Sequence, residues 1–266
     1  MKDPLSKRHE DYENAYNFSI TRRLPLVIKI SGRNFKRLSC NLDKPFSVPL
    51  SEIMAGTMMY TITEIQDAIF GYQFEDEINI ILRNDKELDY EPWYNNNIQN
   101  IISVVSSLSS IGFNKNMQLL HPSIKIDGDP VFSSKIWALP NISEVVNYLI
   151  SKQLSCRSSA MQSATQVELE KRFGRETAFR EIKGKTFDEK KNMLLKHCGI
   201  DFEDFYETAF KMGVAAYKSP SIKEGGITRN RWSINGELPN FVDDRDFLFN
   251  ILSNGTDVFR ENSIIR

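Results

Sequence analysis

The sequence predicts an α+β protein whose first part is a ferredoxin-like β-α-β-β-α-β unit. Three observations support this fold class. Apolar runs with strand and helix periodicity follow one another in that order within the first 140 residues. Residues 141–266 consist mainly of longer segments with helical periodicity. The composition, with 41% hydrophobic and 26% charged residues over 266 positions, is that of an ordinary folded protein.

The first half of this unit contains a hairpin with an acidic turn. Residues 24–30, LPLVIKI, predict a buried strand that ends at Ser31. A helix is predicted over residues 51–70, with Ser51 as its N-cap. Two short strands, FGYQF and INIIL, follow the helix, and the three carboxylates of Glu75–Glu77 lie between them.

The second half of the unit is a serine-rich helix and a strand. The helix is predicted over residues 95–113, capped by one of its first asparagines and ended near Gly112. Residues 114–130 are predicted to form a loop, and residues 131–140 a fourth strand that Pro140 closes.

This order of elements places the acidic turn next to the end of the first strand. Right-handed crossovers put both helices on one face of a four-stranded antiparallel sheet, in which the first strand and the hairpin are neighbours. We therefore expect Ser31 to lie close to Glu75–Glu77, at one edge of a domain that spans residues 1–140.

The remaining residues, 141–266, are predicted to form a mainly helical region packed on the first domain. Asn141 or Ser143 begins its first helix, and Thr186 or Asp188 begins its second. The predicted elements are helices over 141–173, 186–199, 201–213 and 243–252, and a ribbon of strands 214–218 and 231–235 joined across Gly225 and Gly226.

Composition excludes several classes of protein. A net charge of −1 rules out a strongly basic nucleic-acid coat. Three cysteines without a visible signal peptide argue against a disulfide framework and predict a cytoplasmic protein. No segment approaches the ~20 apolar residues of a membrane span. The motifs Walker A, G-x-G-x-x-G and G-x-S-x-G are absent, and His197-Cys198 has no second pair with which to bind zinc.

Carboxylates at this edge of the sheet are suitable ligands for a pair of Mg²⁺ ions. Such ions polarise an attacking oxygen and neutralise the leaving phosphates, and they require oxygen ligands. The turn Glu75–Glu77 supplies carboxylates, but Ser31 occupies the position where a partner acid is expected. A solvated hairpin tip is the alternative interpretation.

Four separated segments resemble one protein family in order and spacing. They are IKISGRNFKRL at residues 28–38, LDKPF at 42–46, GYQFEDEINIIL at 71–82 and VFSSKIWALPNISEVVNYLISKQ at 131–153. The resemblance is to the tRNA-histidine guanylyltransferase family, nearest its guanylyltransferase-like branch of 3′–5′ RNA polymerases, and it covers residues of about 10–250.

The resemblance implies a polymerase-like palm and a nucleotidyltransferase activity. Such an enzyme adds nucleotides to the 5′ end of an RNA, after that end has been activated with a nucleoside triphosphate. The implied cofactor is Mg²⁺, with two ions, and the implied substrates are GTP or ATP and a tRNA or other RNA 5′ end. A homo-oligomer, dimer or tetramer, is also implied.

The resemblance also assigns roles to individual residues. Asp76 would be a Mg²⁺ ligand, Gly32 would offer its backbone carbonyl, and Glu77 would flank the metals. Lys44 would contact the triphosphate, a suitable task for a compact cation. The residues at the family's nucleotide-contact positions are Arg33, Asn34, Phe35 and Lys36.

Four basic residues are candidates for contacts to RNA phosphates, because basic side chains supply most of the affinity for nucleic acid. They are Arg22 and Arg23, just before the first strand, and Lys183 and Lys185 in the second part.

The sequence departs from the family pattern at polar positions. The family has an aspartate where this chain has Ser31, often an aspartate at Ser133, an aspartate at Ser155, and Arg-Asn near Ser158-Ser159. Ser151 stands at a position where the family usually has an aromatic residue. The apolar positions are kept, which suggests altered or lost chemistry on a retained fold.

Three hypotheses therefore stay open. The chain is an active nucleotidyltransferase that uses Asp76, Glu77 and Glu75, or a catalytically impaired relative that binds nucleotide or RNA and pairs with an active relative. An unrelated α+β enzyme that shares only the palm is the third. In the first, Glu75, which stands where the family has serine, swings in and replaces the missing charge of Ser31.

Overall fold

Six strands form one antiparallel sheet in the part of the chain that a computed structural model describes, residues 3–84, 91–222 and 228–254. The strands are β1 (Leu26–Arg33), β2 (Ala68–Phe74), β3 (Glu77–Leu82), β4 (Val131–Ala138), β5 (Val214–Ile222) and β6 (Thr228–Asn235). Their order across the sheet is β4-β1-β3-β2-β5-β6.

Helices cover both faces of this sheet. They are α1 (Pro4–Asn14), α2 (Phe35–Leu38), α3 (Val48–Thr63), α4 (Ile98–Leu120), α5 (Ile142–Phe173), α6 (Arg175–Ile182), α7 (Phe187–Met193), α8 (Phe202–Phe205), α9 (Thr208–Met212) and α10 (Arg245–Asn254). A 3₁₀ turn at Trp93–Asn96 precedes α4, and a π turn at Leu194–Cys198 follows α7.

The alternation of side chains along the strands produces two cores. On β1, Ile28 and Ile30 face α3 and α4, where they pack in a buried cluster with Met58. Val27 faces the other way, into a second buried cluster with Leu149 of α5. Full burial of one such side chain stabilises the fold by roughly 1.5–3 kcal/mol, so this two-sided pattern fixes which face of β1 each helix covers.

The predicted α+β fold class is confirmed, and so is the order of its first four strands. β1 lies between β4 and β3, and β2 completes the ferredoxin-like set. The predicted ribbon is also present, as β5 and β6, and the residues Gly225 and Gly226 lie outside the described part. β5 pairs with β2, so that Tyr72 lies opposite Ala215 and the second part of the chain extends the sheet of the first.

Two predicted helix boundaries are wrong. The helix predicted over 51–70 begins at Val48, because the Ser47 hydroxyl accepts a hydrogen bond from the backbone N–H of Leu50 at 3.4 Å. It ends at Thr63. Residues 64–67 form a turn, and β2 begins at Ala68.

The helix predicted to stop near Gly112 continues to Leu120, which removes the first seven residues of the predicted 114–130 loop. Gly112 is kept for packing: a Cβ there would lie 2.9 Å from the ring of Tyr60 on α3. The 201–213 segment likewise forms two short helices instead of one. The predicted caps Asn141 and Thr186 are confirmed, and Asn97 is the asparagine that caps α4.

The β2–β3 turn lies beside the end of β1, as the sequence predicts. Ser31 is the register partner of Glu77, and the N–H of Gly32 donates to the carbonyl of Asp76 at 2.9 Å. Glu75 has a left-handed backbone with φ of 48°, which costs about 1–2 kcal/mol for a residue other than glycine. The buried Gln73 side chain donates to the Glu75 carbonyl at 2.9 Å and holds this turn.

Candidate functional site

A cavity of about 800 Å³ opens at the edge of the sheet next to the acidic turn. Its walls come from the end of β1, α2, the start of α3, the β2–β3 turn, α5 and α9. Lining side chains include the bases Lys36, Arg37 and Lys44, the acids Glu75 and Asp76, and the aromatic rings of Phe46, Phe74 and Phe210. A cavity of this size and composition can hold a ligand that combines anionic groups with a flat ring.

Asp76 is the half-buried acid of this cavity. Burial raises the pKa of its carboxyl group, and the neighbouring charges of Glu75 and Glu77 raise it further. No lysine or arginine among the described residues lies within ion-pair distance of this carboxylate. Among the described residues, the charge of Lys29 offsets this negative charge only in part, and the pKa of Asp76 stays raised.

Glu75 is exposed and lines the same cavity. The hydroxyl of Ser159, which projects from α5, donates a hydrogen bond to its Oε1 atom. Two consecutive residues of a regular strand point to opposite faces. Here the left-handed backbone of Glu75 lets both carboxylates of the turn reach one cavity.

Glu77 does not line the cavity. Its carboxylate lies on the α5 face of the sheet, in an ion pair with Lys29 and a second one with Lys152 at 2.8 Å. The Asn79 side chain also donates to it, at 3.0 Å. Burial alone would raise the pKa of Glu77, but the hydrogen bonds from Lys152 and Lys29 outweigh it and hold that pKa below its usual value.

Ser31 and Ser133 bring no charge to the edge of the sheet. Ser31 lies on the same face of β1 as Lys29, and it is not among the residues that line the cavity. The Ser133 hydroxyl lies 3.5 Å from the carbonyl of Ser31. The position where the family has its first aspartate is therefore neutral.

Most of the residues predicted to bind nucleotide line the cavity: Asn34, Phe35, Lys36 and Lys44 do, and Arg33 does not. Gly32, which was predicted to offer its carbonyl to a metal ion, lines it as well.

Phe35 is a buried core residue, in edge-to-face contact with Phe113 and Phe132. A Cβ at Gly32 would lie 2.2 Å from its ring, so glycine is required for this close approach. Lys36 and Lys44 are exposed at the cavity, and neither forms an ion pair with any described residue.

The four predicted RNA contacts lie away from the cavity. Arg22 and Arg23 precede β1 at the end opposite Gly32, which a rise of about 3.3 Å per residue puts roughly 20 Å away. Arg22 donates to the Asn95 side chain at 3.0 Å. Lys183 and Lys185 follow α6, where Lys185 pairs with Glu189 at 3.1 Å.

Several lining residues were missed by the sequence analysis. Cys156, Ala160 and Ser163 project from α5 into the cavity. Their spacing of four and three residues is that of one helix face, but the sequence does not show what this face covers. Arg37 was also missed. Its guanidinium nitrogens Nε and Nη2 donate to the Asp127 carboxylate at 2.8 and 3.1 Å.

In the described part of the chain, no group of three or more His, Cys, Asp or Glu side chains is arranged to hold a metal ion. No described helix is long and apolar enough to cross a membrane.

The fold and the cavity together define a palm-type α+β protein with a cavity of mixed charge at the edge of its sheet. A family model described as "Thg1: tRNAHis guanylyltransferase" matches residues 6–140, which is 135 of 266 residues. The chain therefore belongs to the tRNA-histidine guanylyltransferase family, and the resemblance stated from its motifs is confirmed.

Individual relatives agree with this assignment. The chain is 24% identical over 239 residues to tRNA(His) guanylyltransferase 2 of Arabidopsis thaliana, covering 88% of this chain and 43% of that protein. It is 25% identical over 183 residues to the uncharacterized protein R259 of Acanthamoeba polyphaga mimivirus, covering 61% and 62%. The chain thus spans less than half of the plant relative and less than two thirds of the viral one.

Solved structures resemble the whole chain. A bacterial Thg1-like protein in complex with ATP superposes with a TM-score of 0.80 at 26% identity, covering 94% of this chain and 99% of that one. A complex with GTP gives 0.75 at 26%, with the same coverage. The tRNA(His) guanylyltransferase of Saccharomyces cerevisiae gives 0.70 at 18% identity, covering 88% and 98%, and shows the shared fold.

Proposed function

We propose that this protein is a magnesium-dependent nucleotidyltransferase that adds nucleotides in the 3′–5′ direction to the 5′ end of an RNA, with tRNA as the expected substrate. The observation that carries the proposal is that Asp76 shares one cavity with Lys36 and Lys44. Family membership and the similarity to ATP-bound and GTP-bound structures support it.

The donors at the turn fit a divalent cation. The Asp76 carboxylate forms no ion pair among the described residues, and burial raises its pKa, an effect that a bound cation would offset. Gly32 lines the same cavity, so its carbonyl is a second candidate ligand. Ser31, at the end of the same strand, is neutral and does not line the cavity. When bound, two Mg²⁺ ions would polarise the attacking oxygen and neutralise the leaving phosphates.

The rest of the cavity suits a nucleoside triphosphate. Lys36 and Lys44 are cations without ion-pair partners among the described residues, so they are free to contact phosphate oxygens. The stacked rings of Phe46 and Phe210, with centroids 4.8 Å apart, form an apolar wall beside them. This combination of cations and aromatic surface favours ATP or GTP over a bare phosphate.

A specific observation favours a second candidate, a catalytically impaired relative that binds nucleotide or RNA and pairs with an active one. Ser31 is neutral where the family has an aspartate, and Glu77 is engaged by Lys29 and Lys152. Asp76 would then be the one strongly anionic ligand in the position that the family uses. Nucleotide binding would survive on Lys36 and Lys44, and transfer would not.

One experiment separates the two candidates. Purified protein is incubated with Mg²⁺ or Mn²⁺, radiolabelled GTP or ATP, and a tRNA that lacks its first nucleotide. Label transfer that disappears in Asp76→Asn supports the enzyme. Tight nucleotide binding without label transfer, with either metal and across pH, supports the impaired relative. The same preparations, measured by light scattering, test the proposed homo-oligomer and any hetero-oligomer formed with an active relative.

A further inference from the structure

We propose that Glu75 supplies a second carboxylate for the metal site beside Asp76, and that Ser159 is the residue that positions it. This inference rests on the proposed function, because it concerns the metal ligands of the same reaction. It assigns Glu75 as a metal ligand and Ser159 as the residue that orients the Glu75 carboxylate.

The backbone of the turn is fixed in a form that aims two carboxylates at one cavity. Glu75 has φ of 48°, and its carbonyl accepts a hydrogen bond from buried Gln73 at 2.9 Å. The next carbonyl, that of Asp76, accepts from the N–H of Gly32, also at 2.9 Å. These two hydrogen bonds fix the backbone of the turn. The exposed Glu75 side chain therefore lines the same cavity as Asp76.

The contact from α5 restrains the side chain without neutralising it. Ser159 donates its hydroxyl to Oε1 of Glu75, and a hydroxyl carries no charge. The other oxygen, Oε2, accepts no hydrogen bond from the residues that the structure describes. Glu77, by contrast, is held by two lysines, so its charge is compensated. Glu75 thus retains a charged, oriented oxygen for a cation.

The test measures metal affinity directly. Binding of Mn²⁺ to the full-length protein is followed by electron paramagnetic resonance without nucleotide, for wild type, Glu75→Ser, Ser159→Ala, their combination, and Asp76→Asn. We expect a loss of affinity of about 100-fold in E75S and about tenfold in S159A, the range typical of ligand-shell changes. Because Ser159 acts through Glu75, the double variant should bind like E75S alone.

One further variant controls for position on the helix. Ser155→Ala removes a hydroxyl from the same helix whose hydrogen bond, among the described residues, goes to the carbonyl of Ser151 at 2.9 Å, and it should leave Mn²⁺ affinity unchanged. Fluorescent GTP binding in the presence of EDTA verifies that each cavity is intact.

The outcomes distinguish this inference from the proposed function. If E75S binds Mn²⁺ within about twofold of wild type while D76N loses affinity, the role of Glu75 is refuted and the proposed function stands. If wild type binds no Mn²⁺, the inference is refuted as well, and the label-transfer experiment then decides the proposed function by itself. An unchanged affinity in S159A alone refutes the positioning role of Ser159.

Discussion

Asp76 and Glu77 are neighbours in the chain, yet they lie in opposite electrostatic environments on the two sides of the sheet edge. On the cavity side, burial raises the pKa of Asp76, and no described cation pairs with it. On the α5 side, Lys29 and Lys152 hold the pKa of Glu77 below its usual value. The comparison teaches that the burial and the charge partners of a carboxylate, and not its place in the chain, set the direction in which the fold shifts its pKa.

The largest expected effect is on catalysis by Asp76. Asp76→Asn should lower nucleotide transfer by at least about 10³-fold, because under the proposed function it removes an anionic ligand at the reacting phosphates. Its free energy of unfolding at pH 7 should stay equal to that of wild type or rise, since a half-buried charge with no ion pair among the described residues is lost. Single-turnover transfer and urea unfolding check these two results, and a marked loss of stability would contradict the assignment of Asp76 to the ligand side.

Glu77→Gln should affect the free energy of unfolding more than nucleotide transfer, which is the reverse of Asp76→Asn. It leaves Lys29 and Lys152 without their shared carboxylate, and these groups are mostly buried, with 30% and 18% of their side chains exposed. We expect a loss of about 2 kcal/mol in unfolding free energy, between the values for surface and fully buried pairs.

A double-mutant cycle with Lys152→Met measures the part of this loss that belongs to the pair. A coupling near zero would show that the Lys152–Glu77 contact at 2.8 Å contributes nothing to the attachment of α5 to the sheet.

The pH dependence of stability should differ in sign between the two acids. The folded-state pKa of Asp76 is raised, so wild type should gain stability relative to D76N as the pH falls from 7 towards the unfolded value of 3.8. The pKa of Glu77 is lowered, so wild type should lose its advantage over E77Q as the pH falls below 4.5. Urea unfolding of the three proteins between about pH 3 and 7 measures both trends, and trends of equal sign would refute the comparison.

The smallest effect is expected at Arg37, the cavity cation that does have a partner. Asp127→Asn releases it from its contacts of 2.8 and 3.1 Å, and both side chains are largely exposed. Triphosphate affinity should tighten by less than about threefold at low salt, and the gain should vanish at high salt because exposed charges are screened. Asp129→Asn, two residues away, is the matched control, and an equal gain there would point to net charge instead of Arg37.

Much of the fold followed from local sequence. The β-α-β-β-α-β order, the hairpin beside Ser31 and the caps Asn141 and Thr186 depend on periodicity and on short-range hydrogen bonds, which the sequence displays directly. The helix start was decided by a local cap at Ser47, whereas the prediction placed the cap at Ser51. The continuation of α4 past Gly112 was accompanied by a close contact with Tyr60 of another helix. A glycine inside a helix predicts an end only when no neighbouring side chain needs its space.

The site was predictable only for residues that lie close together in the sequence. The acids of the turn, the missing acid at Ser31 and the lysines Lys36 and Lys44 were visible in the motifs. The commitment of Glu77 to Lys152 and the contact of Ser159 with Glu75 were not, since 75 and 84 positions separate these partners.

The sequence by itself therefore determined the family, the topology and the set of charged residues at one edge of the sheet. Only the tertiary structure decided which carboxylate pairs with lysines, which carboxylates line the cavity and which face of α5 closes it. The physical reason is that charge compensation and burial depend on distance in space, and long-range packing sets that distance after the local elements have formed.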